Sequence, residues 1–112
     1  MSILDNFRLD GKTALVTGAA TGLGAAISVA FAEAGATVAC HGNRRAATQT
    51  VEHIKAAGGR AAGFAADLAK PVEITALWEA VKDSFGAIDI LVNNAGTIHR
   101  SPAEEYALED WQ

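Results

Sequence analysis

The chain has 112 residues and a mass of 11.5 kDa, the size of one domain or part of one, which argues against a two-domain enzyme within it. Half of the residues are apolar, a fifth are charged and one is cysteine, which excludes a disordered tail and a disulfide scaffold. The net charge is −4, so no basic surface for nucleic acid is indicated. With no apolar secretory signal at its start and no possible internal disulfide, the sequence predicts a cytoplasmic protein.

The first predicted elements lie in an uncharged stretch, residues 13–32, whose 20 positions equal the length of a membrane span. A membrane helix is one interpretation, because two of its glycines stand four residues apart, as in closely packed transmembrane helices. The alternative is a strand over 13–17, a turn over 18–24 and a helix over 25–34. The large apolar residues of the uncharged stretch cluster at its two ends, on either side of a glycine-rich middle. We therefore favour the second interpretation and predict no membrane segment.

The rest of the chain repeats this alternation of strand and helix. Apolar spacing and turn residues predict strands at 37–41, 60–66 and 88–92, helices at 45–57 and 71–85, a loop over 96–103, and a further helix from about Leu108. The strand at 88–92 is almost continuously apolar, as is typical of a strand covered on both faces. Strands that alternate with helices of this length predict an α/β fold with a doubly wound parallel sheet, right-handed crossovers and helices on both faces.

A glycine-rich turn follows the first predicted strand and has the pattern G-x-x-x-G-x-G. Glycines in this position let the backbone approach a pyrophosphate, and the free N–H groups at the start of the next helix favour an anion. The alternative is that small residues here only permit close packing of helix on sheet. On the first interpretation, the residues assigned to a nucleotide are Gly18, Ala20, Thr21, Gly22, Leu23 and Gly24.

A second motif, Asn93-Asn94-Ala95-Gly96, follows the fourth predicted strand, where open α/β sheets place their ligand crevice. The two motifs together resemble the short-chain dehydrogenase/reductase family. The resemblance extends over the whole chain, including residues 10–18 and 66–68. It implies a Rossmann-type fold of about four strands in this chain, and transfer of hydride between a nicotinamide cofactor, NAD or NADP, and a carbonyl or alcohol.

The resemblance also implies cofactor contacts. It assigns the adenine to Asp67 with Leu68, and the ribose and nicotinamide side of the groove to Asn93, Asn94, Ala95 and Gly96. The position of the family's acid at the end of the second strand is Gly42, which is followed by Asn43 and Arg44. An acid there would repel a 2′-phosphate, whereas Arg44 or Arg45 would attract one. The chemistry therefore favours NADP, and the closest family resemblance favours NAD. The alternative role for the two arginines is that they are only exposed residues at the start of a helix.

The catalytic tyrosine and lysine of the family, spaced Y-x-x-x-K, are missing from this chain. Its one tyrosine, Tyr106, is followed four residues later by Asp110, which disfavours a phenolate. We therefore assign no catalytic residue, and expect residues 1–112 to be the N-terminal, cofactor-binding part of a single Rossmann domain, inactive by itself. The alternatives are a non-catalytic nucleotide-binding module and an interaction protein that pairs through an exposed strand edge.

A closer resemblance, over 95–105 and 110–111, is to the family members that act on sugar acids, and it implies a small-molecule substrate with a carboxylate. Arg100 is the residue we assign to that carboxylate; a surface arginine or an intersubunit contact is the alternative. The family resemblance implies a homo-oligomer, a tetramer. We also expect the 112-residue polypeptide alone to associate, because the strand at 88–93 lies at an unpaired edge.

The histidines offer no metal site by their spacing. His41 and His99 have no metal-ligand partners at a useful spacing along the sequence, and His53 lies on the exposed face of a predicted helix, so we predict that all three are exposed to solvent.

Overall fold

The computed structural model describes residues 8–43 and 46–94. Strands and helices alternate through these residues, as the sequence predicts. The elements are β1 (Thr13–Val16), α1 (Gly22–Glu33), β2 (Thr37–Gly42), α2 (Thr48–Ala56), β3 (Arg60–Ala65), α3 (Pro71–Phe85) and β4 (Ile90–Val92).

The four strands form one parallel sheet in the order β3-β2-β1-β4. The strand order reverses beside β1, because the chain runs outward from β1 to β3 and then crosses back to place β4 on the other side. Leu15 in β1 is paired with Ala39 in β2 and with Leu91 in β4. This arrangement confirms the predicted doubly wound parallel sheet, and sheets of this kind bind their ligands at the carboxyl ends of the strands, beside the reversal point.

The two faces of the sheet are covered by different helices. Alternate residues of each strand face opposite sides, so Val16, Val38 and Cys40 pack in a core with residues of α1 and α2. Leu15 and Ala39 pack in a second core with residues of α3. The apolar stripe predicted for α3 packs in this second core. It consists of Ile74, Leu77, Trp78, Val81 and Phe85.

The uncharged stretch over 13–32 forms β1, a loop and most of α1, as predicted. The helix begins at Gly22, three residues before the predicted start, because Thr21 is extended and Gly22 adopts a φ of 59° that lets the chain turn directly into the helix. The prediction that the whole glycine segment is a turn is therefore wrong at its end. Within the described ranges, no helix has the length and apolar character needed to cross a membrane.

The second helix also departs from its prediction. It begins at Thr48, not at residue 45, because the carbonyl of Ala46 accepts the N–H of Thr48 at 2.8 Å in a tight turn ahead of the helix. The strand boundaries differ by one or two residues: β2 extends to Gly42, β3 ends at Ala65 and β4 begins at Ile90.

The fourth strand lies at the edge of the described sheet, where β1 is its partner. Leu91 is 37% exposed, so the predicted cover on both faces is not found in the part of the chain that the structure describes. Before the strand, Asp89 is bound to Thr13 twice: its N–H donates to the Thr13 carbonyl and its Oδ2 accepts the Thr13 N–H, each at 2.9 Å. The loop predicted over 96–103 and the helix predicted near Leu108 lie outside the described residues.

Candidate functional site

Three loops meet at the carboxyl edge of the sheet, because parallel strands present their carboxyl ends on the same side. The glycine loop, residues 17–21, follows β1. The Asp67 loop, residues 66–70, follows β3, and Asn93 and Asn94 follow β4. The fold thus brings together the segments that the sequence assigned to a nucleotide.

The glycine loop packs so closely on α1 that no side chain fits at Gly24. A Cβ atom at this position would overlap the carbonyl oxygen of Gly18 and would lie 2.7 Å from Nδ2 of Asn94. Gly18 itself has a φ of 63°, a conformation that residues with a side chain rarely adopt. Gly24 is therefore required for the close approach of the loop to the helix, and Gly18 is required for the backbone conformation of the loop.

The amino end of α1 has no side-chain cap. Thr21 occupies the N-cap position in an extended conformation, but no side chain accepts a bond from the first N–H groups, and the first turn contains no acid. The residues Ala20, Thr21, Gly22 and Leu23 are exposed, and open space surrounds the position of a Cβ at Gly22. Uncapped N–H groups at the positive end of a helix dipole, with room beside them, suit a phosphate.

The end of β4 is bound to the glycine loop through Thr17. The N–H of Asn94 donates to Oγ1 of Thr17 at 2.9 Å, and Nδ2 of Asn94 lies 3.4 Å from the Gly18 carbonyl oxygen. The N–H of Thr17 donates in turn to the carbonyl of Val92 at 3.0 Å. No role was predicted for Thr17, although a threonine at the end of a buried strand signals one, since buried polar groups need partners.

His41 occupies the end of β2 and is fully buried, so the prediction that it is solvent-exposed is wrong. Its ring lies between two loops: the N–H of Gly18 donates to Nδ1 at 3.1 Å, and Nε2 lies 2.8 Å from the Ala66 carbonyl oxygen. Burial lowers the pKa of His41, and the bond to Ala66 opposes that shift. His53 on α2 is exposed as predicted, and His99 lies outside the described residues.

Thr50 of α2 also holds the glycine loop, in addition to the contacts from β2 and β4. Its Oγ1 donates to the carbonyl of Ala19 at 2.7 Å, and the side chain is buried. The position was not singled out in the sequence, although Thr50 is a polar residue next to Val51, on the buried side of the helix. A polar residue on an otherwise apolar helix face is the signal that could have found it.

The Asp67 loop is held by a residue that the sequence did not single out. Glu73 stands three residues after the N-cap of α3, and its Oε1 accepts the N–H of Asp67 at 2.8 Å. The Asp67 carboxylate accepts the N–H of Ala69 at 3.0 Å, and the residue is half-buried. Leu68 is buried in the core with α3, so its side chain is not available to a ligand and only its backbone can face the groove.

The remaining assigned residues divide between the end of β2 and the undescribed segments. Gly42 is the last residue of β2 and Asn43 is exposed beyond it. Arg44, Arg45, Ala95, Gly96, Arg100 and Tyr106 lie outside the described residues. Within 8–43 and 46–94, no group of three His, Cys, Asp or Glu side chains is placed to hold a metal ion.

A glycine turn between a strand and a helix, at the reversal point of a doubly wound parallel sheet, defines the class of dinucleotide-binding α/β domains. Residues 12–112 match the family model described as short chain dehydrogenase, which is most of the chain. The chain belongs to the short-chain dehydrogenase family.

The names of its relatives indicate varied substrates. The chain is 46% identical over 112 residues to D-threitol dehydrogenase of Mycolicibacterium smegmatis. It is 44% identical over 109 residues to 2-dehydro-3-deoxy-D-gluconate 5-dehydrogenase of Escherichia coli. These matches cover 99% and 97% of this chain and 43% of each relative, so the chain spans less than half the length of the curated relatives.

Solved structures of the family share the fold. A short-chain type dehydrogenase/reductase from Mycobacterium marinum superposes with a TM-score of 0.81 at 37% identity, over 97% of this chain and 43% of that one. A hydroxysteroid dehydrogenase from Escherichia coli superposes with a TM-score of 0.79 at 39% identity, over 91% and 44%.

Proposed function

We propose that the intact protein is an NAD(P)-dependent oxidoreductase and that residues 1–112 supply the cofactor-binding part of its single Rossmann domain. The observation that supports this most is the uncapped amino end of α1, which adjoins the exposed backbone of Gly22 at the carboxyl edge of the sheet. Neutral N–H donors without protein partners at such a point suit a pyrophosphate, and the first turn has no acid to oppose it.

Each loop of the site has a part in holding the cofactor. The backbone of residues 18–24 binds the pyrophosphate, with Gly24 providing the close approach. The carboxylate of Asp67 binds the adenine, and Asn94 with Ala95 and Gly96 borders the ribose and nicotinamide. The nicotinamide, when bound, supplies or accepts the hydride; the residues of this chain bind and orient it.

NADP is the form that we propose. Gly42 and Asn43 end β2 without the acid that would bind a ribose 2′-hydroxyl and repel a 2′-phosphate. Arg44 follows directly and carries the charge that a 2′-phosphate requires.

Titration of the intact protein with NADP⁺ and with NAD⁺ by calorimetry tests both parts of this proposal. We expect NADP⁺ to bind about 10-fold more tightly, the contribution of one charge-assisted hydrogen bond of about 1.4 kcal/mol. Arg44→Ala is expected to remove that difference and to leave NAD⁺ affinity unchanged. Tighter binding of NAD⁺ by the wild type would contradict the NADP assignment, and no binding of either dinucleotide would contradict the proposed function itself.

For the substrate we propose a sugar acid, oxidised or reduced at a hydroxyl or keto group. The sequence resembles 2-deoxy-D-gluconate 3-dehydrogenase foremost and gluconate 5-dehydrogenase next, and the E. coli relative is named for a sugar acid. Arg100 follows the Asn93–Gly96 motif and would bind the carboxylate through two parallel hydrogen bonds. A sugar alcohol is the second candidate, because the M. smegmatis relative is named for D-threitol.

Replacement of Arg100 by alanine separates these two substrates. In the intact enzyme we expect the KM for a sugar acid to rise about 10-fold or more, because a carboxylate loses a charged partner, while the KM for an uncharged ketone stays the same. Arg60→Ala is the matched control, since this exposed arginine begins β3 at the opposite edge of the sheet. Equal changes in KM for charged and uncharged substrates would contradict the assignment.

We also propose a cytoplasmic homotetramer, on the family resemblance. A non-catalytic nucleotide-binding module is the alternative from another class. Dinucleotide binding by the intact protein without turnover of any sugar acid, sugar alcohol or ketone would favour it.

A further inference from the structure

His41 bridges two loops of the candidate site. It is 0% exposed, and its ring nitrogens have backbone partners in different segments of the chain. Nδ1 lies 3.1 Å from the backbone nitrogen of Gly18 in the glycine loop, and Nε2 lies 2.8 Å from the carbonyl oxygen of Ala66 in the Asp67 loop. The backbone carbonyl of His41 also accepts the N–H of Ala19 at 2.8 Å. The residue therefore anchors the glycine loop twice.

These partners allow only one protonation state of the ring. A backbone N–H can only donate, so Nδ1 must present its lone pair to Gly18. A carbonyl oxygen can only accept, so Nε2 must carry the proton that bonds to Ala66. A second proton, on Nδ1, would face the Gly18 N–H, and the contact between ring and loop would be lost.

The described surroundings of the ring do not favour a charge. Cys40 precedes His41 on β2 and packs on the opposite face of the sheet. Burial raises the pKa of the Cys40 thiol to about 11, so the thiol is neutral. The glycine loop and β1 contribute no titratable side chain. The Asp67 carboxylate accepts the Ala69 N–H, and the Glu73 carboxylate of α3 accepts the Asp67 N–H. Burial and the Ala66 bond are the causes of the His41 pKa shift, and neither carboxylate is among them.

We infer that His41 is a positioning residue for dinucleotide binding, whose neutral ring holds the Gly18 N–H and the glycine loop in a fixed relation to the Asp67 loop. The inference rests on the proposed function, because these loops are the ones assigned to the pyrophosphate and the adenine. His41 contacts neither group itself. Its role is to hold in place, before the ligand arrives, the backbone that binds it, which reduces the cost of ordering the loop.

This role makes dinucleotide affinity sensitive to acid. In the free protein burial holds the pKa of His41 below its ordinary value of 6.5. On this inference a bound dinucleotide lowers the pKa further, because the bound loop requires Nδ1 as an acceptor. Above the pKa of the free protein the ring is neutral in both states, so affinity is constant. As the pH falls below that value, the dissociation constant rises by up to about 10-fold per pH unit.

The test is the dissociation constant of the intact protein for NADP⁺, measured by calorimetry from about pH 8 to about pH 5, across the titration range of histidine. His41→Asn keeps an oxygen acceptor near the position of Nδ1 and does not titrate. It is therefore expected to retain most of the affinity at neutral pH, and to lack the rise of the dissociation constant at low pH that is attributed to His41. His41→Leu removes both bonds and is expected to weaken binding about 10-fold at neutral pH, the effect of losing about 1.4 kcal/mol, and to lack the rise of the dissociation constant in acid. His53→Asn changes an exposed histidine and is expected to retain the wild-type profile.

A second measurement needs no ligand. Nitrogen-15 NMR of the free wild-type protein is expected to show His41 as the neutral Nε2–H tautomer at pH above 6.5, and hydrogen exchange at the Gly18 amide is expected to be faster in His41→Leu. An Nδ1–H tautomer, or an acid rise that His41→Asn retains in full, would overturn the inference and leave the proposed function standing. Failure of the wild type to bind either dinucleotide at neutral pH would overturn both, even with the expected tautomer.

Discussion

Replacing Gly24 by alanine is expected to abolish dinucleotide binding by the intact protein and to lower its free energy of unfolding by about 3 kcal/mol, the upper part of the range for overpacking. The added Cβ overlaps the Gly18 carbonyl oxygen and lies 2.7 Å from Nδ2 of Asn94. Neither neighbour moves away freely, because the Asn94 amide is itself within 3.4 Å of that carbonyl. The loop that would contact the pyrophosphate must therefore shift. Calorimetric titration with NADP⁺ and urea denaturation measure the two effects.

Gly58→Ala is the matched control for this substitution. Gly58 has a φ of 90° and open space around the position of a Cβ, and it lies at the end of α2, away from the glycine loop. Its replacement is expected to cost about 1–2 kcal/mol from backbone conformation alone, with no change in dinucleotide affinity. Wild-type affinity in Gly24→Ala would show that close approach of backbone at this loop is not what binds the cofactor.

Thr17→Val is expected to lower the free energy of unfolding by about 1–2 kcal/mol, the cost of leaving the half-buried N–H of Asn94 without its acceptor. Valine has nearly the same shape as threonine but cannot accept the N–H of Asn94, which is 2.9 Å from Oγ1 in the wild type. The side chain of Thr17 is 0% exposed, so the acceptor that valine removes lies inside the protein. Because this bond joins the end of β4 to the glycine loop, we also expect weaker dinucleotide binding, measured by the same titration.

Thr75→Val provides the comparison. The hydroxyl of Thr75 donates to the carbonyl of Pro71 at 3.3 Å on the exposed side of α3, where water can replace it. Its substitution is expected to change stability by no more than about 0.5 kcal/mol and to leave affinity unaltered. If both valine variants had equally small effects on unfolding, the Thr17 hydroxyl would not be the link between the two motifs.

Local sequence predicted most of the fold because the elements have clear patterns. In α3, proline in the first turn and apolar residues at helical spacing defined the helix, and its bounds of Pro71–Phe85 agree with the prediction. The start of α1 could not be placed in this way. It depends on the positive φ of Gly22, and a glycine-rich segment is compatible with either a turn or a helix start until the loop packs.

Three residues that hold the candidate site together were not found from the sequence in the roles they have. Thr17, Thr50 and His41 are polar, and polar residues are most often exposed. His41 was predicted to be exposed because no metal-ligand partner stands at a suitable spacing along the sequence. Its burial depends on β1 and β3, which lie on either side of β2 and bring Gly18 and Ala66 to its ring nitrogens. No spacing along the chain records that arrangement.

The sequence by itself determined the alternation of strands and helices, the parallel sheet and the edge at which the glycine loop and Asn94 lie, whereas Asp67 was assigned by the family resemblance. These follow from periodicity and from the rule that parallel strands end on one side, both of which are local or topological. Only the tertiary structure decided that Gly24 must lack a side chain, that Leu68 is withdrawn into the core and that His41 joins two loops. Those facts depend on distances between atoms far apart in the chain, which packing sets and sequence spacing does not.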